Sequence, residues 1–167
     1  MIPNVVKTWA PRGPTPLLRH CYRRERISVI SGVSVSPKRP HLGLYYQLWF
    51  DNIRPEEVCV FLRHLLRHLH GPVIVLLDNS PTHKGAPLDQ LLGHHPRLSL
   101  ERFPSYAPQL NPDEGVWTLA KHDLANGCPQ KLDDLMEDLV RSIERTRTSP
   151  KRLRGCVLQS DLPPFLR

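Results

Sequence analysis

The sequence predicts an α/β protein, a mixed β-sheet flanked by helices with a helical C-terminal extension, and three observations lead there. Two β-prone runs, Arg26 to Ser36 and Leu42 to Phe50, are joined by the short connection Pro37-Lys38-Arg39-Pro40, so they are expected to pair antiparallel. A helical repeat then leads into the apolar run Val73 to Leu77, and a strand that follows a crossover helix implies parallel pairing. The last part of the chain returns to helical spacing with no further strand signal.

Each element has its own justification. In the first run Ile27, Val29, Ser31, Val33 and Val35 share one parity, so a strand there turns one face to a core; the second run carries Tyr45, Tyr46 and Trp49. From Pro55, the residues Val58, Phe61, Leu62, Leu65, Leu66 and Leu69 recur every three or four positions. Pro55 with Glu56 and Glu57 suits a first helical turn, and Gly71-Pro72 stops the helix. Five apolar residues from Val73 to Leu77 read as a strand buried on both faces whose carboxyl end meets solvent at Asp78. Ala86 to Leu92 reads as a helix, Leu98 to Phe103 as a strand, and Pro112 to Leu124 as a helix halted by Asn126-Gly127. In the tail, Leu132, Leu135, Met136, Leu139, Val140 and Ile143 form one apolar stripe opposite Asp133, Asp134, Glu137, Asp138 and Arg141. Val5 to Trp9 reads as half of a hairpin lying among prolines.

Size and charge limit the function classes. The 167 residues suit one domain, divided here into a body over 1–128 and a helical extension of it over 129–167. A net charge of +7 favours a polyanionic partner, nucleic acid above all. Cys21, Cys59, Cys128 and Cys156 are widely spaced with no C-x-x-C pair, which argues against a disulfide framework or a zinc knuckle and points to a reducing cytoplasm. No apolar run reaches the length of a membrane span.

Two acidic residues invite a chemical reading, and each also has a structural one. Asp78 stands where a buried strand ends, the place where open α/β sheets hold ligands, but an Asp there also caps the following turn. Glu114 follows Asn111 and Pro112, so it is either a functional carboxylate or the third member of an N-terminal capping box. His64 and His68 sit one turn apart between Arg63 and Arg67, without the Glu that a zinc-hydrolase helix carries; a solvated basic face is the simpler reading.

The combination is more specific than its parts. Asp78-Asn79-Ser80-Pro81-Thr82-His83-Lys84 is followed by Phe103-Pro104-Ser105-Tyr106-Ala107-Pro108-Gln109-Leu110-Asn111-Pro112-Asp113-Glu114-Gly115-Val116-Trp117. Together these closely resemble the DDE-type transposases of the mariner-like bacterial insertion-sequence superfamily. Phe103 replaces the usual Leu, and 35 residues separate the two carboxylates. Lys7-Thr8-Trp9-Ala10-Pro11-Arg12-Gly13 is similar to the segment that follows the first catalytic Asp in that family.

The resemblance implies a ribonuclease-H-like fold and metal-dependent DNA cleavage and strand transfer. Two Mg²⁺ or Mn²⁺ ions held by carboxylates would clamp the attacking and leaving oxygens in line. It assigns Asp78 and Glu114 to catalysis and metal binding, with Asn79, His83 and Asn111 in support. Lys84, Arg102 and Lys121 become candidate DNA contacts, and Trp117 a core anchor for the helix bearing Glu114. The family's first Asp belongs on a strand just upstream of what is here Ile2, so the first strand and first ligand are expected to be missing, with metal occupancy and activity reduced. Asp51 is an alternative third ligand or simply a turn residue. The partners implied are transposon ends and target DNA, together with a second copy of the chain or a full-length transposase. The other reading is a catalytically inactive DNA-binding or transposase-interacting remnant.

Overall fold

A computed structural model describes residues 12–13, 26–36, 41–125, 127, 129 and 131–162. The elements run β1 (Ser28–Val35), β2 (Leu42–Trp49), α1 (Pro55–His68), β3 (Val73–Leu77), α2 (Ala86–His94), β4 (Leu98–Arg102), α3 (Asp113–Asp123), α4 (Leu132–Arg147) and α5 (Pro150–Gln159). One-turn 3₁₀ helices at Pro81–His83 and Pro108–Leu110 punctuate the loops after β3 and β4. The candidate strand Val5 to Trp9 lies outside the described residues, as do Cys21 and Cys128. Cys59 and Cys156 are buried free thiols.

The antiparallel hairpin forms as expected, but the parallel pairing expected across α1 does not: β3 finds its parallel partner in the strand that follows it, not in the hairpin that precedes α1. Strands β1 and β2 form an antiparallel hairpin in the register Ser28 opposite Trp49 to Val35 opposite Leu42. Strands β3 and β4 pair parallel, Val73 beside Leu98 and Leu77 beside Arg102, with α2 as the crossover. The two pairs are separate ladders among the described residues rather than one continuous sheet. What joins them is α1, because Ile30, Tyr45 and Trp49 of the hairpin and Val75, Leu77 and Leu100 of the parallel pair pack into the same cluster as its apolar stripe.

The amphipathic pattern of α1 explains that role. Val58, Cys59, Phe61, Leu62, Leu65 and Leu66 are all buried, and Leu62 is only 1% exposed. At its start the Arg54 amide donates to the Glu57 carboxylate at 2.8 Å, which satisfies one amide that the helix leaves without a partner. At its end the Arg97 guanidinium donates to the carbonyls of Leu66, Leu69 and Gly71, tying the last turn to the start of β4. Gly71, at φ +82°, makes the turn into β3 in a conformation that side chains disfavour.

The opposite face of the hairpin covers a second cluster. Ile27, Val29 and Val33 of one parity, with Leu42, Tyr46 and Leu48, pack on Val116, Ala120, Leu139, Ile143, Leu153 and Cys156. The apolar stripe expected in the tail is therefore real, but it is carried by α4 and followed by α5. This second helix starts at Pro150 behind a Ser149 cap, whose hydroxyl accepts from the Arg152 amide at 3.4 Å. No described helix is long and apolar enough to cross a membrane.

A further expectation fails. β3 is not buried on both faces: Val73 is buried, but Ile74 is 70% and Leu76 42% exposed. The five-residue apolar run contains no alternation from which a solvent face could be read, and among the described residues its core cluster is built with α1 and α2 on one side.

Tyr46 joins the hairpin to α4 through a hydrogen bond of 2.6 Å from its hydroxyl to Glu144. Burial, then that acceptor and its charge, push the Tyr46 pKa from 10.0 up to about 12. The folded state thus keeps a phenol proton that the unfolded chain releases in this window. The stability tied to the proton is complete below pH 10.0 and lost as pH rises through about 12. Tyr46→Phe is expected to flatten that alkaline decline and, near neutral pH, to cost about 1 kcal/mol for the lost hydrogen bond. Urea denaturation across the alkaline range measures both effects.

Candidate active site

The carboxyl ends of β3 and β4 lie side by side, so residues that follow them share one rim. Asp78 leaves β3 with its side chain 63% exposed. One of its oxygens, Oδ1, accepts the Ser80 amide at 2.9 Å and stands 2.6 Å from His83 Nδ1. The turn-capping role is therefore present, and His83 orients the same oxygen. Oδ2 has no partner among the described residues, so it is open to a cation.

The loop around Asp78 is tied to its neighbour at several points. Asn79 donates through its side-chain amide to the Phe103 carbonyl at 3.0 Å and approaches Ser105 Oγ at 3.5 Å. Arg102 donates to the carbonyls of His83 at 2.7 Å and Asp78 at 3.3 Å. As placed here, this guanidinium braces the loop. Lys84 is exposed beside a cavity of about 270 Å³ that His83, Gly85, Leu88, Leu92 and Arg102 also line. Lys121 is exposed toward the end of α3.

The loop from Phe103 to Pro112 connects the rim to α3. Pro108 to Leu110 form a 3₁₀ turn, and the Gln109 carbonyl accepts the Asp161 amide at 2.8 Å, which anchors the loop to the segment after α5. The capping box that is the alternative reading of Glu114 does not form. Asn111 Oδ1 accepts the Asp113 amide at 3.1 Å and its carbonyl accepts the Glu114 amide at 3.1 Å, and the helix begins at Asp113 with Pro112 before it. Glu114 is exposed, and its carboxylate has no hydrogen-bond or ion-pair partner among the described residues. Helix capping leaves this side chain unused.

Asp113 was not singled out from the sequence, and it holds the helix start in place. It is buried against the hairpin, where its Oδ2 accepts Ser31 Oγ at 2.6 Å and Trp117 Nε1 at 3.0 Å. Burial pushes its carboxyl above the usual range, the two donors pull it back, and the Glu114 charge adds to the rise. Oδ1 is buried without a partner among the described residues. The sequence signal was the four-residue spacing of Asp113 and Trp117, but nothing in it marks that face as inward. Trp117 does anchor the helix in the second cluster, as expected.

Tyr106 is the one described non-glycine residue with positive φ, +57°, and it is fully exposed. For a bulky side chain that conformation costs roughly 1–2 kcal/mol. Asp51 is exposed in a bend after β2, and no group of three or more His, Cys, Asp or Glu side chains close enough to share a cation exists among the described residues. Asp51 therefore does not complete a triad with Asp78 and Glu114. His64 and His68 lie against each other with their rings tilted and centroids 4.4 Å apart, and His68 Nδ1 lies 2.9 Å from the His64 carbonyl.

Residues 2–136 match the model of the DDE superfamily endonucleases, and the chain belongs to that family. Among solved structures, its fold is similar to Mos1 transposase in a paired-end complex with the left transposon end. That pair shows 19% identity and a TM-score of 0.55 over 96% of this chain and 52% of the other. The Mos1 strand transfer complex gives 20% identity and a TM-score of 0.55, covering 96% and 51%. The Mos1 catalytic domain with Raltegravir and Mn gives 17% and 0.50, covering 83% and 82%. The chain thus spans about half the length of the transposase in those two complexes. No curated protein matches it.

Gly115 is a further determinant of the site. A Cβ added there would lie 3.0 Å from Cys156 Cβ and 3.1 Å from its Cα, so α3 and α5 touch at backbone distance. Gly115→Ala raises helix propensity by about 1 kcal/mol, yet it is expected to destabilise the protein by about 1–3 kcal/mol because Cys156 backbone cannot retreat. Thermal denaturation of this variant against Gly155→Ala, where the added Cβ meets nothing, checks the sign.

Proposed function

We propose that this chain is the catalytic-domain portion of a DDE-type transposase, acting on DNA ends through divalent metal held by Asp78 and Glu114. The reading is carried by one observation: the family match spans a segment in which an exposed carboxylate closes β3, another opens α3, and a braced loop links their elements. Mos1, solved with a transposon end and with Mn, suggests the ligands: a DNA end and Mg²⁺ or Mn²⁺.

The donor set fits such ions. Asp78 keeps Oδ2 free and Glu114 both oxygens, and hard carboxylate oxygens suit Mg²⁺ and Mn²⁺. Bound there, the metal would supply positive charge to the attacking and leaving oxygens of a phosphodiester. His83 and the Ser80 amide fix the Asp78 rotamer, Asn79 and Arg102 hold its loop, and Asn111 with Asp113 sets where Glu114 begins its helix. Lys84 and Lys121, both exposed, are the side chains proposed to meet phosphates, in keeping with the +7 charge.

Two carboxylates make a weak site for divalent metal, and among the described residues no further His, Cys, Asp or Glu side chain gathers with them. This favours a second reading, in which the chain alone binds DNA or associates with another transposase copy while cleaving poorly or not at all. Titration with Mn²⁺ followed by electron paramagnetic resonance tests the site. Asp78→Ala and Glu114→Ala should each cost more affinity than His83→Ala, for which a loss of roughly 10- to 100-fold is expected from an orienting partner. Mn²⁺ affinity unchanged by either carboxylate substitution would sink the assignment. Incubating the chain and its Asp78→Ala variant with nicked DNA and Mn²⁺ separates the two readings, since equal background cleavage supports the non-catalytic one.

A further inference from the structure

We propose that Tyr106 is a base-stacking residue, a fixed aromatic surface on which an unpaired nucleobase of the bound strand rests beside the phosphate that Asp78 and Glu114 serve. The inference rests on the proposed DNA function and adds to it a contact that none of the metal-site residues makes.

The argument begins from what Tyr106 lacks. Its ring and hydroxyl have no hydrogen-bond, ring or charge partner among the described residues, and the side chain is fully exposed. Exposed aromatics are ordinary when they ride on loose backbone with a relaxed conformation. Here the backbone sits at φ +57°, a conformation that asparagine or glycine would hold more easily. A strained, unburied tyrosine gains nothing for the folded monomer, which directs attention to a partner.

The backbone on both sides is pinned. Asn79 holds Phe103 and Ser105 just before Tyr106. Ala107 accepts the Leu110 amide just after it, and the Gln109 carbonyl is bonded to Asp161. Pro104 and Pro108 restrict the chain further. The ring therefore projects from a braced support rather than sweeping through solvent.

The position selects the partner. Tyr106 lies on the loop that runs from the end of β4, next to Asp78, to the helix start that carries Glu114. A strand whose phosphate reaches either carboxylate has its bases within the neighbourhood of this loop, and bases near a cleavage or joining point are the ones that leave the duplex stack. Any base offers a π-face, so an aromatic platform suits a domain that must accept varied sequence, while the +7 charge supplies the backbone attraction.

The test uses the whole chain with a single-stranded oligonucleotide and a nicked duplex, each carrying 2-aminopurine at successive positions. Tyr106→Ala is expected to weaken binding roughly 5- to 100-fold, while Tyr106→Trp stays within about two-fold of the parent. The parent and the Trp variant should quench 2-aminopurine at one or two positions, and the Ala variant should not. Tyr106→Gly should melt higher than the parent while binding DNA as poorly as Tyr106→Ala, which separates lost stacking from lost folding. If the parent binds DNA and Tyr106→Ala binds equally well, the stacking role is wrong and the DNA function stands. If the parent binds neither DNA, both fall. If Tyr106→Ala alters self-association in light scattering but leaves DNA binding intact, the ring serves a protein contact and the proposal is overturned.

Discussion

The position of α3 depends on a buried carboxylate. Asp113 takes the Ser31 hydroxyl from β1 and the Trp117 indole from its own helix, so the first turn of α3 is held against the hairpin by polar bonds inside an apolar cluster. Desolvation works against the carboxylate, and the geometry persists because two donors meet it there. Glu114 is the next residue. Whatever fixes Asp113 inward sends its neighbour toward solvent, because consecutive helical residues point about a quarter-turn apart. One interaction thus sets both the packing of the helix and the exposure of the candidate metal ligand.

The rest of the site is built by analogous bracing from backbone rather than by a deep cleft. Arg102 and Asn79 fasten the loop after β3 to the strand end beside it, and His83 fastens Asp78 itself. Gly115 lets α5 approach closely enough to support α3 from behind. The rim remains open, in keeping with the proposed duplex substrate, and the net charge of +7 favours a polyanionic partner.

Much of the fold was legible because its signals are local. The parity of Ile27, Val29 and Val33, the helical stripe of α1 and the apolar tail each name an element and its inward face without reference to anything distant. The two candidate carboxylates were proposed from the motifs around them. Ser31 was counted on the inward parity, yet its bond to Asp113 spans 82 residues and leaves no trace in either segment. The apolar run of β3 failed as a guide because five consecutive apolar residues state hydrophobicity without stating which side is covered. The capping box of Glu114 failed because Asn111 satisfies the helix start through its own side chain and carbonyl, which starts the helix later and releases the glutamate.

By itself the sequence determined most of the element order, the antiparallel hairpin and membership of a nuclease family, since each depends on spacing within a short window. Only the tertiary structure decided that the ladders are separate and bridged by α1, that Asp113 rather than Glu114 turns inward, that Arg102 braces a loop, and that Tyr106 stands strained and uncovered. These depend on which groups meet after distant segments pack, and the free energy of burial and hydrogen bonding that decides them exists only once both partners are in place.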